Sequence, residues 1–242
     1  MRALPIIALN GWAMPGELMA LCLADLDAPV TLINLDDSWI QPGMSEADAV
    51  EQLLSRLPEK VLLVGWSLGG QLAMALAARA PQQVQGVVTL ASSPCFVARS
   101  DWPSGMAAAQ FAGFRQAMRD EPLRQWRDFL RLQVHGDEHQ REALRSLRGC
   151  LCRGPQVSEA ALLTSLGWLE TLDLRGLWQQ PPVPVTHIHG AGDCLLPVTL
   201  TDWLGIQGAN LKVLPGMAHL PWGSHASRCG QIIQQALNDV NH

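Results

Sequence analysis

Val61-Leu62-Leu63-Val64-Gly65-Trp66-Ser67-Leu68-Gly69-Gly70 decides how this chain is read. Residues 61–66 form an apolar run suited to a buried strand; it ends in G-x-S-x-G and passes straight into a helical pattern over residues 68–80. Such a strand–turn–helix presents a serine for chemistry. The very tight turn pushes the Ser67 hydroxyl out at the carboxyl edge of a sheet. Gly65 and Gly69 let backbones approach where any Cβ would clash. The helix aims its first amides at a carbonyl on which negative charge develops. Ser67 is the candidate nucleophile.

Outward from this turn, short β-type runs at 4–9, 30–35, 61–66, 87–91, 183–189 and 211–214 alternate with helical patterns at 15–25, 45–57, 68–80, 198–204 and 224–238. Alternation of this kind predicts a mostly parallel sheet flanked by helices. Pro81 closes the helix after Ser67. The rhythm breaks between Cys95 and Trp168, where the chain is helix-like and rich in arginine, and strand character returns after Pro181-Pro182-Val183-Pro184. The expected organisation is one core, residues 1–94 and 169–242, with an all-helical cap inserted at 95–168.

Composition narrows the function. A chain of 242 residues, 48% hydrophobic and 16% charged, buries a sizeable core and is not disordered. Its formal charge of −5 speaks against a nucleic-acid partner. Cys22, Cys95, Cys150, Cys152, Cys194 and Cys229 lack paired zinc spacing and suit reduced thiols, with Cys150-Leu151-Cys152 a weak metal or redox signal. Residues 1–9 faintly resemble a signal peptide. The run is short, contains Pro5 and is broken by Asn10-Gly11-Trp12, so it reads as the first core strand. No stretch approaches the ~20 apolar residues of a membrane span. The expectation is a cytoplasmic monomer.

A serine hydroxyl needs a base, and the base needs an orienting acid; after a turn of this type the chain order is serine, acid, histidine. His189-Gly190-Ala191-Gly192-Asp193 ends a strand and presents Asp193. Pro215-Gly216-Met217-Ala218-His219-Leu220-Pro221 supplies His219 on the loop after the last strand. Asp202 lies inside a helical pattern and Asp173 before the return to the sheet. His187 and His189 alternate along a strand and read as structural; His225 suits a helix start, and His135, His139 and His242 suit exposed positions. Two backbone N–H groups are expected to hold the oxyanion, Leu68 after the serine and Trp12 from the loop after the first strand. Trp12 and Trp66 are expected to wall an apolar acyl pocket, core packing being the alternative for either.

Residues 98–154 hold ten of the seventeen basic residues, all arginine, against seven acids, a surplus of three positive charges, while the rest of the chain carries eight negative. Arg124, Arg127 and Arg131 fall on one helical face, and Arg141, Arg145 and Arg148 repeat the arrangement. Such stripes are either solvated faces or a dock for an acidic partner.

Several segments then resemble a known family, the pimeloyl-[acyl-carrier protein] methyl ester esterases of biotin synthesis, which have the α/β-hydrolase fold. They are Gly65–Gly70, Leu90-Ala91-Ser92-Ser93-Pro94-Cys95-Phe96, Asp101-Trp102-Pro103, Ala112-Gly113-Phe114, Phe129-Leu130 with Leu132-Gln133, and Leu169-Glu170 with Leu172-Asp173-Leu174-Arg175. The resemblance implies hydrolysis of a pimeloyl methyl ester carried on acyl carrier protein, by Ser67, His219 and Asp193, without metal or cofactor. It also implies that Trp12, Trp66 and Phe129 bind the substrate and that the acidic carrier docks on Arg124, Arg141 and Arg145. The chain departs from the pattern at Asn10, where hydrolases of this type commonly have histidine, and at residues 36–42, which replace a glycine-rich turn. It also begins at the first core strand, without a preceding hairpin.

Three other functions fit the same residues. A broad small-ester hydrolase would ignore the carrier and the arginines. A lyase of menaquinone synthesis would use the serine without a covalent ester. A non-catalytic binding module would have no need of Ser67, Asp193 and His219 together.

Overall fold

The computed structural model describes residues 3–241. Strands β1 (Ile6–Leu9), β2 (Val30–Ile33), β3 (Val61–Trp66), β4 (Val84–Leu90), β5 (Val185–Gly190) and β6 (Asn210–Leu214) form one sheet in the order β2-β1-β3-β4-β5-β6, with every pairing parallel. All six residues of β3 are buried, which a parallel strand covered on both faces requires. The chain steps from β1 outward to β2 and back across to β3, so the strand order reverses between β1 and β3. In open α/β sheets, ligands bind outside the carboxyl ends of the strands at such a reversal. The loop after β1 and the turn after β3 both open there.

Helices α1 (Ala20–Leu23), α2 (Glu46–Leu54) and α3 (Leu68–Arg79) connect the first half of the sheet. The single helix expected over 15–25 is a 3₁₀ turn at Gly16–Leu18 followed by α1. Gly16 sits against the Asn34 side chain, which accepts its amide at 2.7 Å, and the tighter turn follows that contact. Strand β4 begins three residues before the expected 87, because Val84 pairs with Val61 across an irregularity in register. In α3 every residue from Leu68 to Ala77 is buried, as befits a helix wrapped on all sides.

Between β4 and β5 lie α4 (Ala108–Asp120), α5 (Pro122–Gln133), α6 (Gln140–Ser146), α7 (Arg148–Arg153) and α8 (Glu159–Thr171). The first part of this insertion is not helical. Residues 95–107 form a neck with isolated bridges Val97↔Met106 and Arg99↔Trp102, and α8 runs past residue 168 to Thr171. The Trp102 indole donates to Cys95 O at 2.8 Å. Arg175 donates to Asp101 and Asp173 and lies over the Trp102 ring, while Leu174 N bonds Pro94 O at 2.8 Å. The two ends of the insertion are thereby fastened to each other. Beyond it come α9 (Arg175–Gln179), α10 (Val198–Ile206) and α11 (Ala226–Val240).

The 36–42 loop, which departs from the glycine-rich pattern, also has a structural use. The Asp37 carboxylate accepts from the Ser158 amide and hydroxyl at the start of α8. Gly43 N donates to Thr164 and the Trp168 indole to Met44 O, so the core grips the last cap helix along its length. No helix among the described residues is long and apolar enough to cross a membrane.

Candidate active site

Ser67 stands between β3 and α3 with φ 53° and ψ −117°, a conformation that costs a non-glycine residue ~1–3 kcal/mol. Neighbours hold it there. Its amide donates to Leu90 O at 2.9 Å, and its carbonyl accepts from the Ser92 hydroxyl at 2.6 Å and from Gly70 N at 2.9 Å. A Cβ on Gly65 would come within 2.3 Å of Gly69 O, and one on Gly69 within 2.3 Å of Leu9 O, so both glycines are required by close approach. The start of α3 therefore rests directly on the end of β1.

Asp193 and His219 come together from the loops after β5 and β6. His219 Nδ1 lies 2.8 Å from Asp193 Oδ2, and both side chains are at most 2% exposed. The other carboxylate oxygen accepts from Leu195 N at 2.8 Å and Leu196 N at 3.2 Å, which fixes the plane of the acid. The base loop is held from beneath: the Trp66 indole donates to His219 O at 3.0 Å and packs edge-on against Trp222. This corrects the expectation that Trp66 walls the acyl pocket. Residue 66 is the last of β3, so its side chain points under the base loop while Ser67 takes the opposite side. Ser67 and His219 open onto one cavity without a direct hydrogen bond, a looseness common before substrate binds.

His187 and His189 are buried on β5, and desolvation holds them down to about 3 and about 4. His187 stacks on Trp178 and bonds Thr89 at 2.8 Å. Both rings are neutral at physiological pH and add no charge behind Asp193. Asp173 is engaged by Arg175 and Asp202 lies within α10.

Trp12 and Leu68 are buried, and among the described residues neither backbone amide donates to another protein group. Two free buried N–H groups flanking a serine can hold a developing oxyanion. Asn10 shapes this loop, a role its sequence position did not reveal. Its side-chain oxygen accepts Leu35 N at 2.8 Å and its NH₂ donates to Met14 O, so one buried amide closes the turn carrying Trp12. Ala13 takes φ 58° within that turn.

The cavity, counted together with its open mouth, spans about 660 Å³. Its floor is Trp12, Ser67, Leu195 and His219; its roof is Phe96, Met106, Phe111, Phe114, Phe129, Leu132, Leu166 and Leu169 from the neck and cap, with Gln110 and Cys194 as further polar groups. Trp12 meets Phe129 and Phe114 edge-to-face at 5.1 and 5.7 Å. Phe111 and Phe114 lie one turn apart on α4, a spacing that marks an apolar face without saying what it covers. Among the described residues no carboxylate, lysine or arginine lines the cavity.

The arginines lie outside it. On α5, Arg124, Arg127 and Arg131 are exposed opposite buried Trp126 and Leu130, with Arg124 paired to Glu121 and Arg131 to Asp128. The second expected stripe is broken. Arg141 and Arg145 share α6, but Arg148 opens α7 beyond Leu147, whose burial turns the chain. Cys150 is buried and Cys152 exposed.

A parallel sheet, a serine on a strained strand-to-helix turn and a buried acid–histidine pair on the following loops define a class. The chain belongs to the alpha/beta hydrolase family, whose model matches residues 7–230. Within it, the chain is similar to the enzymes named pimeloyl-[acyl-carrier protein] methyl ester esterase of Nitrosomonas europaea (35% identity, 90% of this chain and 89% of that one) and Aeromonas salmonicida (33%, 95% and 93%). That of Yersinia enterocolitica is 32% identical over 98% of this chain and 94% of its own. Among solved structures, a hydrolase from Oleispira antarctica superposes with TM-score 0.81 at 15% identity (98% and 91% covered). An esterase from Exiguobacterium antarcticum gives 0.78 at 16% (98% and 92%). These two share the fold.

Proposed function

We propose that this protein is a serine carboxylesterase that hydrolyses the methyl ester of pimeloyl-[acyl-carrier protein], releasing methanol and the free carboxylate. Ser67 Oγ attacks the ester carbonyl as its proton passes to His219 Nε2. The Trp12 and Leu68 amides hold the oxyanion. Asp193 keeps the proton on His219 Nδ1 and steadies the imidazolium. His219 then protonates the departing methoxide, giving methanol and an acyl-enzyme on Ser67. Water, giving its proton to the same His219, attacks the acyl-enzyme and frees the carboxylic acid and Ser67.

The observation that carries this reading is the cavity: apolar, roofed by the cap, and lined, among the described residues, by no carboxylate, lysine or arginine. A methyl ester at the end of an alkyl chain is neutral and enters such a space readily. The product carboxylate is charged, and its transfer back to water drives release. The carrier-linked end of the chain stays outside, where the exposed Arg124, Arg141 and Arg145 offer positive charge to an acidic carrier. The relatives named above carry the same activity in their names. This reading takes the enzyme to work as a cytoplasmic monomer without a cofactor.

The test is methanol release from pimeloyl-carrier-protein methyl ester against a short free methyl ester, with wild type, Ser67→Ala and an Arg124/Arg141/Arg145→Glu triple variant. The reading expects preference for the carrier-linked ester, loss of that preference alone in the triple variant, and no turnover by Ser67→Ala. Equal cleavage of both esters, indifferent to the arginines, would make this a general esterase.

A further inference from the structure

The loops bearing Asp193 and His219 follow β5 and its neighbour β6, and among the described residues β6 is the edge of the sheet, with no strand outside it. The cap supplies the missing wall. The end of α5 and the turn to α6, residues 132–139, lie against both loops. On the acid side, Gly136 meets Gly192 backbone to backbone. A Cβ on Gly136, itself at φ +91°, would fall 2.1 Å from Gly192 O, and one on Gly192 would fall 2.2 Å from Gly136 O. On the base side, Leu220 N, next to His219, donates to Gln133 O at 3.0 Å, and Glu138 N donates to Gly216 O at 2.9 Å. Farther along the base loop the Ser224 hydroxyl donates to the buried Asp137 carboxylate at 2.9 Å. Gly192 N in turn bonds Met217 O at 2.9 Å, which ties the two loops to each other.

We propose that the α5–α6 turn, through Gly136 and Asp137, is a positioning element that holds the acid and base loops in register, so that the cap buttresses the reacting pair as well as roofing the acyl pocket. The proposal rests on the reading of Ser67, His219 and Asp193 given above. Three features exceed what packing a loop requires: the glycine-to-glycine contact beside Asp193, the backbone bond beside His219, and the carboxylate joining the far end of the base loop. Each fixes a loop at the edge-strand end of the sheet. A displacement of ~1 Å between reacting groups costs about a hundredfold in rate, so loosening one tether by a fraction of that is expected to cost about tenfold.

The experiment uses p-nitrophenyl acetate, whose two-carbon acyl group makes little use of the cap's apolar roof. Gly136→Ala and Ser224→Ala are expected to lower kcat about tenfold with KM within twofold of wild type. Each should also shift or broaden the downfield proton resonance of His219 Nδ1–H, which reports the bond to Asp193. Ser224→Thr, which keeps the hydroxyl, should restore both. Phe129→Ala provides the contrast of a roof residue and should raise KM for longer esters with that resonance unchanged. If Gly136→Ala does not fold, Ser224→Ala and Ser224→Thr carry the test. Folded Gly136→Ala or Ser224→Ala protein with wild-type kcat and an unmoved resonance overturns the proposal. Activity remaining in Ser67→Ala would instead overturn the underlying assignment of the nucleophile, and the two failures are thus distinct.

Discussion

Replacing Asp193 by asparagine isolates what the carboxylate does for His219. Asp193 Oδ1 accepts the Leu195 and Leu196 amides at 2.8 and 3.2 Å, leaving Oδ2 to face His219 Nδ1 at 2.8 Å. Asparagine keeps the shape, but its single oxygen is the one atom able to accept those amides. Its NH₂ is therefore turned toward His219. A donor in that place makes Nδ1 the acceptor and moves the ring proton to Nε2, which then cannot take the proton of Ser67. Loss of the correct tautomer in a serine triad costs ~10⁴ in kcat, or about 5 kcal/mol at about 1.4 kcal/mol per factor of ten. Folding should hardly change, since both amides keep their acceptor. Asp193→Ala, in contrast, leaves two amides unpaired beside buried Leu195 and Leu196 and should lose ~1–3 kcal/mol of stability for each buried group. Methanol release at saturating ester, measured beside chemical denaturation, separates the two variants. An asparagine variant with the stability of wild type and more than a tenth of its kcat would refute the reasoning.

Trp66→Phe removes the donor to His219 O and leaves that buried carbonyl unpaired, so stability should fall by ~1–3 kcal/mol and kcat should fall with little change in KM; a change in KM alone would return Trp66 to the pocket wall. Asn10→Ala strands the Leu35 amide and releases the turn carrying Trp12. It should slow acylation of Ser67 by a small ester, and an unchanged rate would show that the turn holds itself. His187 and His189, held down to about 3 and about 4, bind protons in the unfolded chain that the folded chain refuses. Their contribution is complete above about pH 6.5 and is lost as pH falls toward 4, with a slope approaching ~1.4 kcal/mol per pH unit for each. Denaturation at pH 7, 6 and 5 should show that slope, and a flat profile would contradict it. Bonds from Ser158 hold Asp37 below the usual carboxylate range, so its grip on α8 persists at neutral pH and loosens in acid as pH falls through that lowered value. Asp37→Ala should speed amide exchange at the start of α8 at pH 7 while β3 stays protected; equal protection in both proteins would remove this loop from the cap's support.

What could be read from the chain followed from whether the physics is local. The strand at 61–66 is apolar because both faces are covered, and its bounds were read correctly for that reason. The edge strands are harder: β2 and β6 are partly exposed and carry weaker patterns, and the start of β4 depends on pairing with Val61, which no window of sequence contains. Ser67, Asp193 and His219 stand out because each follows a strand-like run within a few residues, and all such ends share one edge of a parallel sheet. Trp66 was misread because strand alternation alone does not say which face the pocket occupies; the bond to His219 O spans 153 residues.

The cap was the least readable part, and the reason is physical. Its helices are amphipathic in the ordinary way, so their apolar faces announce burial without naming what they bury. Phe114 and Phe129 cover Trp12, whereas Trp126 donates to Ala13 O, yet all are apolar positions on charged helices. The turn at 134–139 carries no motif, and its contact with the acid loop depends on two glycines that meet only after that loop and the cap have both folded. Insertion of a roof into an α/β sheet need not disturb the sheet, since both ends leave and return at the neck fastened by Arg175. Once there, the roof touches the loops after β5 and the edge strand β6. A cap positioned in this way cannot move freely over the pocket without also moving Asp193 and His219. Charge brought to Arg131 at the end of α5 or Arg141 at the start of α6 acts on the helices that flank this turn. Under the docking proposed above, docking and chemistry would share one short stretch of backbone.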